Sequence, residues 1–183
     1  MVKILEEPKE IRLKIMDFLS RREHSSKEIY RKMSRKVESK EMLIQSIQEL
    51  EKDGLISDER FAESYFQSRK RRGFGPLRIK NELIQRGVQE NLFYSLDATT
   101  DWSYYALEAL KKKMNGKRPE ETKDVLKLKS FLNYRGFEFQ DIQRGLGGGI
   151  WARARESGLH LSSDPVPNWG KDAKYGRLVN VGV

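Results

Sequence analysis

The sequence predicts an all-α protein built from stacked three-helix units and closed by an irregular C-terminal tail. Three observations predict it. Apolar residues recur at the three- and four-residue spacing of a helix face from residue 8 to residue 146. No segment sustains the period-two alternation with a hairpin turn that marks strands. A glycine followed by an apolar residue punctuates the pattern at Gly54-Leu55, Gly87-Val88 and Gly136-Phe137, as expected where a left-handed residue ends a helix.

The first unit spans residues 8–54. After a charged leader, Pro8 opens a helix that carries Ile11, Ile15, Phe18 and Leu19. Ser25 and Glu28 have the spacing of a capping box, and the helix behind them turns Ile29, Tyr30 and Met33 inward. Ser39 caps the third helix, where Leu43, Ile47 and Leu50 recur on one face, until Gly54 ends it.

The second unit spans residues 55–97. Ser57 caps its first helix, with Asp58 and Glu59 in the positive first turn and Ile56 and Phe61 at the spacing of a hydrophobic staple. Phe61, Ala62, Tyr65, Phe66 and Arg69 share a face. The helix ends in Arg69-Lys70-Arg71-Arg72 before the turn Gly73-Phe74-Gly75, and Pro76 starts the next, with Ile79, Leu83 and Ile84 as its stripe. Leu92, Phe93 and Leu96 mark a short third helix.

The third unit spans residues 98–147. Thr100 or Asp101 caps a helix with Trp102, Tyr105, Ala106, Ala109 and Leu110 inward, and Asn115-Gly116 breaks it. Pro119 starts the next helix, with Val125, Leu128, Phe131 and Leu132 inside, and a short helix with Ile142 and Leu146 closes the unit. The segments LIQRGV and FLNYRGF match in pattern, so the units read as repeats of roughly 35–50 residues, each too small to bury its own core well. Residues 148–183 lose the helical period after a triple glycine and read as an irregular tail, disordered or foreign to the fold.

A net charge of +9 over 183 residues points to a polyanionic partner: nucleic acid, an acidic protein surface or anionic lipid. With no cysteine there is no disulfide, thiolate metal site or cysteine nucleophile, which fits a reducing compartment. No secretory signal or membrane-length apolar run is present, so the cytoplasm is the expected location. The two histidines, His24 and His160, lack the spacing that sets two ligands on one helix face. There is no phosphate-binding glycine loop, and Gly73-Phe74-Gly75 lacks both a preceding strand and a third glycine. Asp58, Glu59 and Glu63 could hold Mg²⁺ in a nuclease, but a helix start accounts for the first two. The expectation is a protein that is not an enzyme, with no cofactor and no resident metal.

The basic residues are grouped. Arg21, Arg22, Arg31 and Arg35 load the first unit, and Lys70, Arg71, Arg72, Arg78, Lys80 and Arg86 load the second. Lys111-Lys112-Lys113 and Lys117-Arg118 load the third. If the units stack, these patches align to meet a repeating anion such as a phosphate backbone. Solvated helix faces are the other account of the same charges. Arg69 falls on the apolar side of its helix, so its stem packs and its head pairs locally.

The segment DGLISDERFAESYFQSRKRRGFGPLRIKNELIQRGV resembles the central signature of the RecX family of recombination regulators. The residues that carry the resemblance are Gly54-Leu55, Asp58, Phe61-Ala62, Arg69 to Arg72, Gly75, Leu83 and Gly87-Val88, with LSRREHSSKEIYRKM and FLNYRGFEFQDIQ matching the flanking repeats. The resemblance covers roughly residues 8–146 and implies three tandem three-helix repeats in an elongated, curved arrangement. It makes Asp58, Phe61, Ala62, Leu83 and Gly87 scaffold residues. It implies a monomer that binds the groove of the filament formed by the RecA recombinase on single-stranded DNA and lowers recombinase activity, with ATP and Mg²⁺ belonging to the partner. A winged-helix transcription regulator is the alternative, since residues 24–56 also resemble two helices across a turn and a recognition helix. A wing would require a hairpin after Ile56, whereas Ser57 to Ala62 reads as a helix start.

Overall fold

The computed structural model describes residues 4–115 and 122–147. Among these residues the chain forms nine helices and no strand. They are α1 (Pro8–Leu19), α2 (Ser26–Met33), α3 (Lys40–Lys52), α4 (Asp58–Arg71), α5 (Pro76–Gln85), α6 (Glu90–Asp97), α7 (Trp102–Met114), α8 (Thr122–Arg135) and α9 (Phe139–Gly147). Pro119, Lys117-Arg118, His160 and the expected tail lie outside the described residues.

Local chemistry sets most helix boundaries. Ser25, Ser39, Ser57 and Asp101 each accept a backbone N–H of the first turn, and of the two candidate caps for α7 it is Asp101 that bonds Tyr104 N. α3, α4, α5 and α8 end alike, on a glycine with φ between 67° and 88° followed by an apolar residue. In each case the apolar residue's N–H donates to the carbonyl five residues back: Leu55 to Leu50, Phe74 to Arg69, Val88 to Leu83 and Phe137 to Leu132. This is the Schellman closure, which satisfies carbonyls that the helix end would otherwise leave open.

The strongest helix contacts fall within threes. α1 and α2 pack on α3, α4 to α6 pack on one another, and so do α7 to α9. The apolar core divides differently. Ile11, Ile15, Ile29, Leu43 and Leu50 belong to one cluster, confined to the first three helices and the segment after them. A second cluster is continuous from α4 to α9, joining Phe61, Phe66, Leu83 and Phe93 to Trp102, Leu132 and Phe137. Ile56 enters the first cluster and Phe61 the second, so the pair does not staple the start of α4. Ile84, expected on the buried stripe of α5, is 40% exposed.

The leader is tied down by an isolated parallel bridge between Leu5 and Val37, with Leu5 N–H donating to Lys36 O (2.8 Å) and Glu38 N–H donating to Leu5 O (3.0 Å). Where a winged helix would place its hairpin, α4 begins at Asp58. No helix of the described residues is long and apolar enough to cross a membrane.

Candidate functional site

The charged surface is organised by two joints, each built from the N-terminus of one middle helix and the C-terminus of the next. At the first, α5 meets α2. Ser25 Oγ donates to Arg86 O (2.6 Å) while accepting Glu28 N–H (3.1 Å). Asp58, in the first turn of α4, accepts Ser26 N–H (2.9 Å), and Arg60 Nε donates to Glu23 (3.0 Å). The Glu28 carboxylate does not turn back to complete a capping box. Its Oε2 lies 3.0 Å from both Arg22 Nη1 and His24 Nδ1, and its Oε1 lies 3.2 Å from Arg86 Nε. That Arg86 nitrogen is buried and has no aligned acceptor, so its tie to Glu28 is an ion pair without a hydrogen bond.

His24 is buried, with Nδ1 toward Glu28 and Nε2 3.5 Å from Lys32 Nζ. This fits a neutral ring that donates from Nδ1 and accepts at Nε2. Burial holds its pKa below the usual histidine value, against the pull of Glu28. Burial alone would raise the Glu28 carboxyl, but the hydrogen bonds from His24 and Arg22 hold it below the ordinary glutamate value. Burial pushes Asp58 upward against the bond from Ser26.

At the second joint, α8 meets α5 in the same relation. Gly75, the N-cap of α5, donates its N–H to Arg135 O (2.8 Å), and Leu77 N–H donates to Gly136 O (3.1 Å). Arg135 thus stands to Gly75 as Arg86 stands to Ser25. Here the chains touch backbone to backbone: a Cβ on Gly75 would lie 2.3 Å from Phe137 N, and one on Gly136 would lie 2.6 Å from Arg78 N. Arg135 Nη1 donates to Arg72 O (2.8 Å), and Arg78 Nη1 donates to Tyr134 O (3.3 Å).

Beside this joint the guanidinium carbons of Arg69, Arg78, Arg135 and Arg72 lie 3.9, 4.7, 4.7 and 6.0 Å from the centre of the Phe74 ring. Glu82 answers two of them, pairing with Arg69 and, at 3.1 Å, with Arg78. Burial opposes ionisation of Glu82, yet its bonds from Arg69, Tyr65 and Arg78 hold the carboxyl below the ordinary range. The Tyr65 hydroxyl, half-buried and bonded to Glu82, is pushed up to about 12 by desolvation and by that carboxylate. Arg135 is lowered by burial and by the like charges of Arg78, Arg69 and Arg72.

The basic residues singled out by the sequence therefore fall into distinct settings. Arg22, Arg78, Lys80 and Arg86 have fixed partners; Lys80 donates to Tyr94 Oη (2.6 Å) and pairs with Glu90. Arg21 pairs with Asp17 on the surface (3.1 Å). Lys70 lies over Phe66 (5.2 Å) and Tyr105 (5.0 Å). Arg31, Arg35, Arg71 and Arg72 are exposed and make no ion pair among the described residues, Arg71 bonding only Gln67 O (3.3 Å). Arg69 packs over Phe74 and pairs across helices, with its Nε 2.6 Å from Glu82 on α5. Charge runs do not single out Arg135, whose nearest neighbours in sequence are uncharged; its likeness to Arg86 in the two Arg-Gly-apolar stops is the signal that finds it.

The scaffold set occupies structural positions: Phe61, Ala62 and Leu83 are buried, Gly87 has a φ of 88° at the first joint, and Asp58 bridges α4 to α2. Glu59 accepts from Ser57 Oγ (2.8 Å), and no group of three His, Asp or Glu residues among those described could hold a metal ion.

Comparison with known proteins agrees with this architecture. The family described as RecX, second three-helix domain, matches residues 57–92, which contain α4 and α5. The regulatory protein RecX of Pseudomonas entomophila is 35% identical over 147 residues, covering 79% of this chain and 95% of that protein. The regulatory protein RecX of Pseudomonas fluorescens strain SBW25 is 35% identical over 140 residues, covering 75% and 90%. The crystal structure of RecX from Lactobacillus salivarius superposes with a TM-score of 0.65 at 22% identity, covering 76% of this chain and 94% of that one, a likeness of fold.

Proposed function

Because the chain belongs to the RecX family of regulatory proteins, we propose that it regulates homologous recombination by lying in the groove of the RecA filament on single-stranded DNA and lowering recombinase activity. The observation that carries the reading is the repeated joint. Middle helices α2, α5 and α8 follow one another through equivalent contacts at Arg86 and Arg135. Cations without an ion pair among the described residues stand on α2 (Arg31), just beyond it (Arg35) and at the end of α4 (Arg71, Arg72). Successive units divided at 8–54, 55–97 and 98–147, in an elongated, curved monomer, would set such cations against successive turns of a polyanionic filament. Several weak contacts joined this way gain affinity through effective concentration. A regulator of this kind acts in the cytoplasm, needs no cofactor of its own and performs no chemistry. Co-sedimentation with RecA filaments on single-stranded DNA, against naked DNA of equal length, tests the reading. Preferential recovery with the filament and a fall in recombinase ATP hydrolysis are expected. Equal recovery on both, with hydrolysis unchanged, contradicts it.

A further inference from the structure

Glu82 leaves the arginine cluster around Phe74 with more positive than negative charge. Four guanidinium groups stand within 6.0 Å of one ring centre, and the carboxylate pairs with Arg69 and Arg78 only. Arg135 spends one nitrogen on the carbonyls of Arg72 and Gly73 and has no ion pair among the described residues. Arg72 is exposed and also has none. Next to Arg135 in sequence, Tyr134 is 69% exposed, and its ring centre lies 5.4 Å from the Arg78 guanidinium carbon. An exposed aromatic ring beside like charges that lack a counter-ion is an arrangement suited to a nucleotide: phosphate on the arginines, base on the ring.

Resting on the nucleic-acid reading above, we propose that Arg72, Arg135 and Tyr134 form a binding site for one nucleotide of a single-stranded nucleic acid at the second joint. Arg72 and Arg135 hold a backbone phosphate, Arg78 ties the Tyr134 main-chain carbonyl and lies beside its ring, and Tyr134 stacks on the adjacent base. Arg72 comes from the end of α4 and Arg135 from the end of α8, so the phosphate also links the second helix triplet to the third.

Binding of the full chain to a fluorescent oligothymidylate, followed by anisotropy without any recombinase, tests the site apart from the filament reading. Arg72→Gln and Tyr134→Ala alter exposed side chains and leave the joint's backbone bonds in place. Each is expected to weaken binding at least about fivefold, the lower end for one stacked base, and Arg72→Gln should flatten the salt dependence by a slope of about 0.7. Arg31→Gln, remote from Phe74, should do less. An abasic phosphodiester of equal length should bind the parent more weakly and be indifferent to Tyr134→Ala. Parent-like binding by both variants overturns the site, as does equal competition by inorganic phosphate or by polyglutamate of matched charge. Those results would leave co-sedimentation with the filament untouched. Loss of oligothymidylate binding alongside unchanged filament binding would keep this site and remove the filament reading's dependence on it.

Discussion

The two joints repeat one topology with opposite chemistry. At the first, side chains do the joining: Ser25 to Arg86, Asp58 to Ser26, Glu23 to Arg60, and Glu28 to Arg86. The cores on either side of it are separate clusters. At the second, backbone meets backbone across Gly75 and Gly136, and one apolar core runs underneath from α4 to α9. The same relation between helix ends can thus be held by charge or by close approach. At both joints the closing glycine leaves no room for a Cβ, one on Gly87 lying 2.7 Å from Lys27 Cβ. Only the second joint needs glycine at the cap as well, where close approach fuses two triplets; the first keeps a serine cap and leaves its triplet a core of its own. The first joint is the one that pH and salt should loosen, because its bonds include ionisable groups.

The sharpest break in this comparison is expected in the fused core. Phe137 is fully buried just beyond Gly136 and packs edge-on to Trp102 at 6.2 Å. Phe137→Ala should cost about 3–5 kcal/mol from lost burial plus a cavity. Denaturant titration should place that loss in the transition that melts α4 to α9 together. A small shift, or separate melting of α4–α6 and α7–α9, would show that the core is not shared.

A swap of caps comes next. Gly75→Ser copies the first joint's cap into the second. Serine is the better cap in isolation, yet its Cβ would meet Phe137 N, so the change should destabilise by about 1–3 kcal/mol through overpacking. The reverse change, Ser25→Gly, removes the hydroxyl's two hydrogen bonds, to Arg86 O and from Glu28 N–H; because glycine is itself a good cap, the cost should stay near about 1 kcal/mol. Equal losses from the two would erase the distinction between the joints.

Glu28→Gln attacks the charged joint directly. It leaves Arg86 and Arg22 without their anion and should cost on the order of 1–3 kcal/mol, less in high salt. A neighbouring effect follows from His24. Burial lowers its pKa below the unfolded value of 6.5, so the folded state favours the neutral ring. The stability this contributes is fully present above pH 6.5 and is lost as pH falls through the lower folded pKa. Denaturation midpoints between pH 8 and pH 5 should therefore drop in the parent and drop less in His24→Asn. A flat profile would mean that folding leaves the ring's pKa unshifted, and a rise toward pH 5 would mean that the buried ring is charged.

Much of this architecture is legible in the chain. The serine caps, the glycine stops and the inward faces of α1, α3 and α7 depend on residues near in sequence, where helix geometry alone decides. Three features are not. Ile56 and Ile84 have the right periodicity but answer to tertiary neighbours, which send the first into another core and leave the second exposed. Glu28 has capping-box spacing, but Arg22, His24 and Arg86 converge on its carboxylate and outcompete a backbone N–H. The basic runs announce a charged surface without saying which members are spent internally. Glu82 and Glu28, remote in sequence from several of their partners, make that division.

Whether the unpaired cations meet a polyanionic filament is the central question, and one salt titration tests it most directly. Binding to RecA filaments on single-stranded DNA should be followed across salt concentrations for the parent and for the double variant Arg71→Glu, Arg72→Glu. The expected result is strongly weakened binding by the variant, a salt slope flatter by about 0.7 for each phosphate that is no longer neutralised, and unchanged far-ultraviolet circular dichroism. Equal affinity and equal slope in the two proteins would contradict the filament reading, leaving Arg71 and Arg72 as a solvated helix end.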